Sequence, residues 1–283
     1  MCQHMGHFLI LLAAANSLGC AYSGTYSPLF PLERSLIYQP AENSTQDPAD
    51  VWFTGADHTR LHGRFFDHPE RKAIILYCHG NAGSVESWAQ AAQEISDRHH
   101  AAVFVFDYRG YGKSEGKPSE EGLYQDARAA RRWLALRAGV SEREIILLGR
   151  SLGGGVAVEL AASDGARGLI LQSTFASLPE VAACHVPLLL PDLMMSQRFD
   201  SHNKIKRYSG PLLQCHGDAD RLIPIAQAQK LHSAASGPKM FITIPGGGHN
   251  DSHDAAFEKA MEAFLQQCRH ERPTCNNPEE HPG

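Results

Sequence analysis

Between residues 73 and 244, short apolar runs alternate with amphipathic stretches, and this alternation constrains the fold more than any other feature of the chain. The runs are 73–78, 102–106, 145–148, 169–171, 212–215 and 241–244, each bounded by Gly, Pro or charged residues. Between them, 87–98, 123–136 and 156–162 carry the mixed pattern of covering helices. Strands that are apolar on both sides need cover on both faces. The expected class is therefore α/β, a mostly parallel central sheet with helices on both faces. Upstream, 51–53 and 61–66 flank Gly55-Ala56-Asp57 and predict an N-terminal antiparallel hairpin.

One insert breaks the rhythm. Residues 174–210 hold Pro179, Pro187 and Pro191 around Leu188-Leu189-Leu190 and Met194-Met195. This is too long for an ordinary connection, so a small helical cap over one end of the sheet is expected, with one more covering helix as the alternative. Met194 and Met195 read as cap packing ahead of a substrate groove.

In open parallel sheets, function gathers at the C-terminal ends of the strands. The run 145–148 ends in Gly149-Arg150-Ser151-Leu152-Gly153, followed by Gly154-Gly155 and a helical stretch. A serine hydroxyl is a weak nucleophile unless it is exposed, held rigid and served by a base. A sharp strand-to-helix turn supplies the first two, and glycines on either side let the backbone pass. Such a turn leaves the Leu152 N–H at a helix N-terminus, aimed where an oxyanion would develop. The base and its orienter are expected later in the chain. The run 212–215 leads into His216-Gly217-Asp218-Ala219-Asp220, and 241–244 into Pro245-Gly246-Gly247-Gly248-His249. Asp218 and Asp220 compete for the acid, Asp218 following the strand more closely and Asp220 lying deeper in the loop, just before the apolar Leu222-Ile223-Pro224. His249 is preferred to His253 because it directly follows the glycine run. After 73–78 comes His79-Gly80-Asn81-Ala82-Gly83, whose glycines allow close approach, so the Asn81 N–H can serve as a second oxyanion donor. His79 reads as a structural residue of that loop, and Asp107 as a carboxylate that satisfies loop N–H groups.

Taken together, HGNAG at 79–83, DYRGYGKSEG at 107–116, GRSLGG at 149–154, HGDADRLIP at 216–224 and GGGHND at 246–251 resemble the α/β-hydrolase superfamily. The segment is most similar to the serine-aminopeptidase-like branch that includes bacterial lipoprotein hydrolases and membrane-associated depalmitoylases. RSLIYQP at 34–40 and RFDS at 198–201 share that likeness, which spans about residues 33–268. The resemblance implies Ser151, Asp220 and His249 as a triad, Asn81 and Leu152 as the oxyanion hole, and no cofactor or metal. It also speaks against the dehalogenase and epoxide-hydrolase branches, which use an aspartate where Ser151 stands. The expected activity is a serine hydrolase of ester or thioester acyl bonds working through an acyl-enzyme. An aminopeptidase or amidase is the alternative within the family, and a non-catalytic binding scaffold is the alternative outside it.

The ends of the chain carry separate signals. Residues 8–15 are an apolar run, shorter than the roughly 20 residues that cross a bilayer, and Ser17-Leu18-Gly19-Cys20 follows it. This looks like a lipoprotein export signal over 1–20, with Cys20 lipidated and the enzyme attached to the membrane of the cell envelope. Residues 21–49 read as a tether, 50–268 as one hydrolase domain, and 269–283 as a disordered tail. Cys268 and Cys275 are close enough to pair in an oxidising compartment. The seven cysteines and 16 histidines show no zinc spacing. Lys and Arg number 26 against 31 Asp and Glu, a balance of −5, so a nucleic-acid partner is not expected.

Overall fold

The computed structural model describes residues 30–41, 46–186, 188, 191–251 and 254–270. In chain order the elements are α1 (Phe30–Ile37), β1 (Gln39–Pro40), β2 (Asp50–Thr54), β3 (Arg60–Phe66), β4 (Ala73–Cys78), β5 (Ala82–Gly83), α2 (Val85–His99) and β6 (Ala101–Phe106). There follow α3 (Glu120–Ala138), a 3-10 turn at Glu142–Glu144, β7 (Ile146–Arg150), α4 (Leu152–Asp164), β8 (Gly168–Gln172), α5 (Leu178–His185), α6 (Pro191–Met194), α7 (Ser201–Ile205), β9 (Leu212–Gly217), α8 (Ile225–Ala234), β10 (Lys239–Ile244) and α9 (Ala255–His270).

Eight strands form one sheet in the order β10-β9-β8-β7-β4-β6-β3-β2. From β10 to β6 every pairing is parallel, and the hairpin β2–β3 attaches antiparallel through β3 to β6. This is the mostly parallel α/β arrangement that the alternating runs led one to expect; β4 matches its run, β7 is shifted toward the C-terminus, and the covering helices extend one to four residues beyond the expected ends. The pleat divides each buried strand between two layers. Leu76, Phe104, Leu147 and Leu169 face α3 and α4, while Ile75, Val103, Leu148 and Ile170 face α2 and α9. Each such side chain contributes about 1.5–3 kcal/mol when taken out of water, which is why these strands read as unbroken apolar runs.

The insert 174–210 leaves the sheet at the end of β8 and carries the short helices α5, α6 and α7. Ser177 caps α5 through its Oγ, which accepts from the Glu180 N–H at 3.4 Å, and Pro179 occupies the first turn, where its missing N–H costs nothing. His185 Nε2 donates to the Leu222 carbonyl at 2.9 Å and so ties the insert to the loop after β9. Met194 and Met195 are half-buried, and Met195 packs on the core.

The segment expected to be a tether, 21–49, is folded where it is described. β1 pairs parallel with β5, and the Asn81 side chain donates to the Ile37 carbonyl at 3.0 Å. Glu33 accepts from the Ser196 and Gln197 N–H groups, each at 2.8 Å, and Tyr38 OH donates to Gln197 Oε1 at 2.8 Å. These bonds, together with Ile37 and Tyr38, which are buried in the core, hold the segment to the domain. At the other end, Arg269 and His270, expected to open a disordered tail, complete α9. Arg167 fixes that helix end by donating to the Cys268 carbonyl at 2.6 Å and the Arg269 carbonyl at 3.2 Å. Among the described residues no helix is long and apolar enough to cross a membrane. The export signal, Cys20, Cys275, His253 and residues 271–283 lie outside the described residues.

Candidate active site

Ser151 sits between β7 and α4 with φ 52° and ψ −119°, a backbone conformation that costs a non-glycine residue about 1–3 kcal/mol. The turn is held from both sides. The Ser151 N–H donates to the Gln172 carbonyl at 2.9 Å, and the Ser151 carbonyl accepts from Thr174 Oγ1 at 2.7 Å and from the Gly154 N–H at 2.9 Å. Gly153 is required by space, since a Cβ there would collide with the backbone carbonyls of Cys78 and His79. The first turn of α4 is thereby pressed against the end of β4, where the loop 79–83 begins.

That loop passes directly beside Ser151: a Cβ on Gly80 would lie 3.6 Å from Ser151 Cβ. The Asn81 carbonyl accepts from the Gln39 N–H at 3.0 Å and from Tyr111 OH at 2.9 Å. With its side chain bound to Ile37, Asn81 is held at three points, and Leu152 is the first residue of α4, where N–H groups lack helical partners. His79 is fully buried. Its Nδ1 donates to the Gly80 carbonyl at 2.7 Å, its ring stacks near Trp88 and Tyr108, and burial pushes its pKa down. These contacts hold it within the 79–83 loop.

The other two candidate residues converge on Ser151 from β9 and β10. His249 Nε2 lies 3.1 Å from Ser151 Oγ, and His249 Nδ1 lies 2.8 Å from Asp220 Oδ2. Of the two acids left open by the sequence, Asp220 meets the histidine. Asp218 instead accepts from the Gly246 N–H at 2.6 Å and braces the loop that leads to His249. Burial works against the charge of Asp220, yet hydrogen bonds from His216 and His249 and from the Ile223 N–H hold its carboxyl well below the usual range. Its Oδ1 accepts from the Leu222 and Ile223 N–H groups at 2.8 and 2.9 Å. The donor His216 was not singled out from the sequence, although it lies in the same motif as the acid. Its Nε2 approaches Asp220 Oδ2 at 3.3 Å and donates to the Ile223 carbonyl at 2.8 Å. Gly217 lets the loops after β9 and β10 touch, since a Cβ there would strike the Gly247 carbonyl.

Asp107 is part of a different assembly. Its Oδ1 accepts from the Val85 N–H at 2.7 Å, as a loop-satisfying carboxylate should, and its Oδ2 also binds His62 Nδ1 at 2.7 Å. His62 Nε2 in turn lies 3.0 Å from Asp50, which pairs with Arg64 and Lys113. Among the described residues no cluster of His, Cys, Asp and Glu is arranged to hold a metal ion.

A serine, a histidine and a carboxylate in this relay, beside a glycine-rich loop and a helix N-terminus, form a constellation suited to acyl transfer. Comparison with known proteins agrees with the architecture. Residues 73–203 match the family model described as alpha/beta hydrolase fold. The chain is 36% identical over 238 residues to an uncharacterized protein of Mycobacterium tuberculosis, covering 81% of this chain and 84% of that one. It is 30% identical to the alpha/beta hydrolase domain-containing protein WAV2 of Arabidopsis thaliana, covering 84% and 81% of the two chains. Among solved structures, the Pyrococcus furiosus esterase Pf2001 superposes with a TM-score of 0.66 at 17% identity, over 82% of this chain and 98% of that one. Est1E of Butyrivibrio proteoclasticus, solved with ferulic acid bound, superposes with a TM-score of 0.61 at 21% identity, over 77% and 97%.

Proposed function

The chain belongs to the alpha/beta hydrolase family, and on that premise we propose that it is a serine hydrolase of carboxylic ester or thioester bonds. The observation that carries the reading is the relay Ser151 Oγ to His249 Nε2 at 3.1 Å and His249 Nδ1 to Asp220 Oδ2 at 2.8 Å. His249 takes the Ser151 proton as Oγ attacks the acyl carbonyl. Asp220 holds the imidazole in the tautomer that presents a free Nε2 lone pair and stabilises the imidazolium. The N–H groups of Leu152 and Asn81 receive the oxyanion. Collapse of the tetrahedral species expels the alcohol or thiol, protonated by His249, and leaves Ser151 acylated. Water, deprotonated by the same imidazole, then releases the acid and restores the serine.

An acyl chain as the substrate's electrophilic part is supported by the insert that borders the site. Leu188 and Leu193 on it are 93% and 82% exposed, and the insert follows β8, whose Gln172 carbonyl accepts from the Ser151 N–H. The motifs shared with the depalmitoylase-like branch point the same way. The cap reading of 174–210 and attachment to the cell envelope through a lipidated Cys20 belong to this proposal. Mass spectrometry of the membrane fraction tests the attachment, with an unmodified Cys20 counting against it. The activity is tested with p-nitrophenyl esters of rising chain length beside aminoacyl-nitroanilides. Turnover of the esters supports the reading, and turnover of the anilides alone overturns it.

A further inference from the structure

The base loop poses a mechanical problem. His249 follows Gly246-Gly247-Gly248, three residues whose backbone freedom is large, yet its imidazole must stay within hydrogen-bond reach of Ser151. The near side of the loop is held by the acid loop, through Gly246 N–H to Asp218 Oδ1 at 2.6 Å and Ala219 N–H to the Gly247 carbonyl at 2.9 Å. Asp251 closes a local turn, its Oδ2 accepting from the Gly248 N–H at 3.0 Å and its own N–H donating to the Gly248 carbonyl at 3.2 Å. None of these bonds fixes His249 relative to the nucleophile.

The residue before the nucleophile does so. Arg150, the last residue of β7, is 7% exposed, and its Nη2 donates to the His249 carbonyl and to Asn250 Oδ1, both at 3.3 Å. The guanidinium also lies over the Trp88 ring, 5.4 Å from its centroid. Trp88 donates from Nε1 to the Ala82 carbonyl at 3.2 Å and stacks near His79, so it braces the oxyanion loop. One side chain therefore spans the nucleophile strand, the base loop and the support of the oxyanion loop. A planar cation with several donors can serve two acceptors while its face rests on an indole; a lysine ammonium cannot do both in one plane.

We propose that Arg150 is a positioning residue for the reaction, setting the distance between His249 and Ser151 by tying the base loop to the strand that presents the nucleophile. The inference rests on the hydrolase reading above. It predicts a penalty on turnover rather than on binding, because small displacements of a general base cost about 100-fold in rate per ångström while leaving substrate contacts intact.

The test compares wild-type protein with Arg150→Met, Arg150→Lys and Asn250→Ala, using p-nitrophenyl butyrate, with active sites titrated by a fluorophosphonate so that kcat refers to folded, reactive enzyme. The expected result is a fall in kcat of about 10- to 100-fold for Arg150→Met with KM within about threefold, and partial recovery in Arg150→Lys. Asn250→Ala, which removes one acceptor and leaves the strand untouched, is expected to lower kcat in the same direction and stands in should Arg150→Met not fold. A kcat per titrated site within about twofold of wild type in Arg150→Met, or in Asn250→Ala where it stands in, overturns the inference, as does a loss confined to KM. A wild-type chain with neither turnover nor labelling removes the hydrolase reading itself and the inference with it.

Discussion

His216 stands behind Asp220 as His249 stands in front of it, with Nε2 3.3 Å from the same carboxylate oxygen that meets the His249 ring at 2.8 Å. The acid is thus gripped from both sides, and this holds its charge in a buried place. Its depressed pKa gives stability that is fully present above the unfolded carboxyl value near 4 and is lost as pH falls through the folded value. His216→Phe removes one donor and lets the folded pKa rise toward the unfolded one. Urea unfolding at pH 7 should show a loss of about 1–3 kcal/mol, and the gap from wild type should narrow at pH 3 and below. A gap that widens in acid would contradict this assignment.

The two acids of the 216–224 loop separate by role. Asp220→Asn should lower kcat by about four orders of magnitude, because the amide presents the wrong partner to His249 Nδ1. Asp218→Asn touches only the Gly246 N–H brace and should cost less than about tenfold. Steady-state rates on one ester substrate decide between them.

Gly153 makes a prediction about packing. Gly153→Ala forces a methyl group into the Cys78 and His79 carbonyls, which are backbone atoms at the end of a central strand and cannot swing aside. A loss of about 3 kcal/mol or more is expected in thermal or urea unfolding, together with reduced fluorophosphonate labelling. Near-normal stability would mean that α4 is not seated as closely as described.

The cluster at the hairpin is structural. His62 and Asp107 are fully buried and joined at 2.7 Å, so His62→Phe strands a buried carboxylate and should cost about 3–5 kcal/mol. Activity per titrated site should stay within about threefold of wild type. A catalytic collapse without loss of stability would move Asp107 into the chemistry.

What the sequence made legible follows from the physics of burial. Ile75, Val103, Leu148 and Ile170 are covered on one face while Leu76, Phe104, Leu147 and Leu169 are covered on the other, and that leaves an apolar run anyone can read. Ser151, Asp220 and His249 stood out because each follows such a run through a glycine-containing loop. The 30–41 segment was legible only as the likeness at 34–40, because β1 has two exposed residues and is held by backbone bonds to 81–83. Arg150 was equally silent: its partners lie 99 and 100 residues away, and a cation before a nucleophile has no local signature of whom it will meet. His62 escaped for the same reason, its carboxylate Asp107 lying 45 residues on, whereas His216 stands four residues before Asp220 and its signal was present in the motif but not read.

The central claim is that Ser151 is the nucleophile, and fluorophosphonate labelling followed by peptide mass spectrometry tests it most directly. Wild-type protein should carry one adduct on the peptide containing Ser151, and Ser151→Ala, folded to the same thermal midpoint, should carry none and turn over no ester. Labelling retained on another residue of Ser151→Ala, or ester turnover undiminished in that variant, would contradict the account.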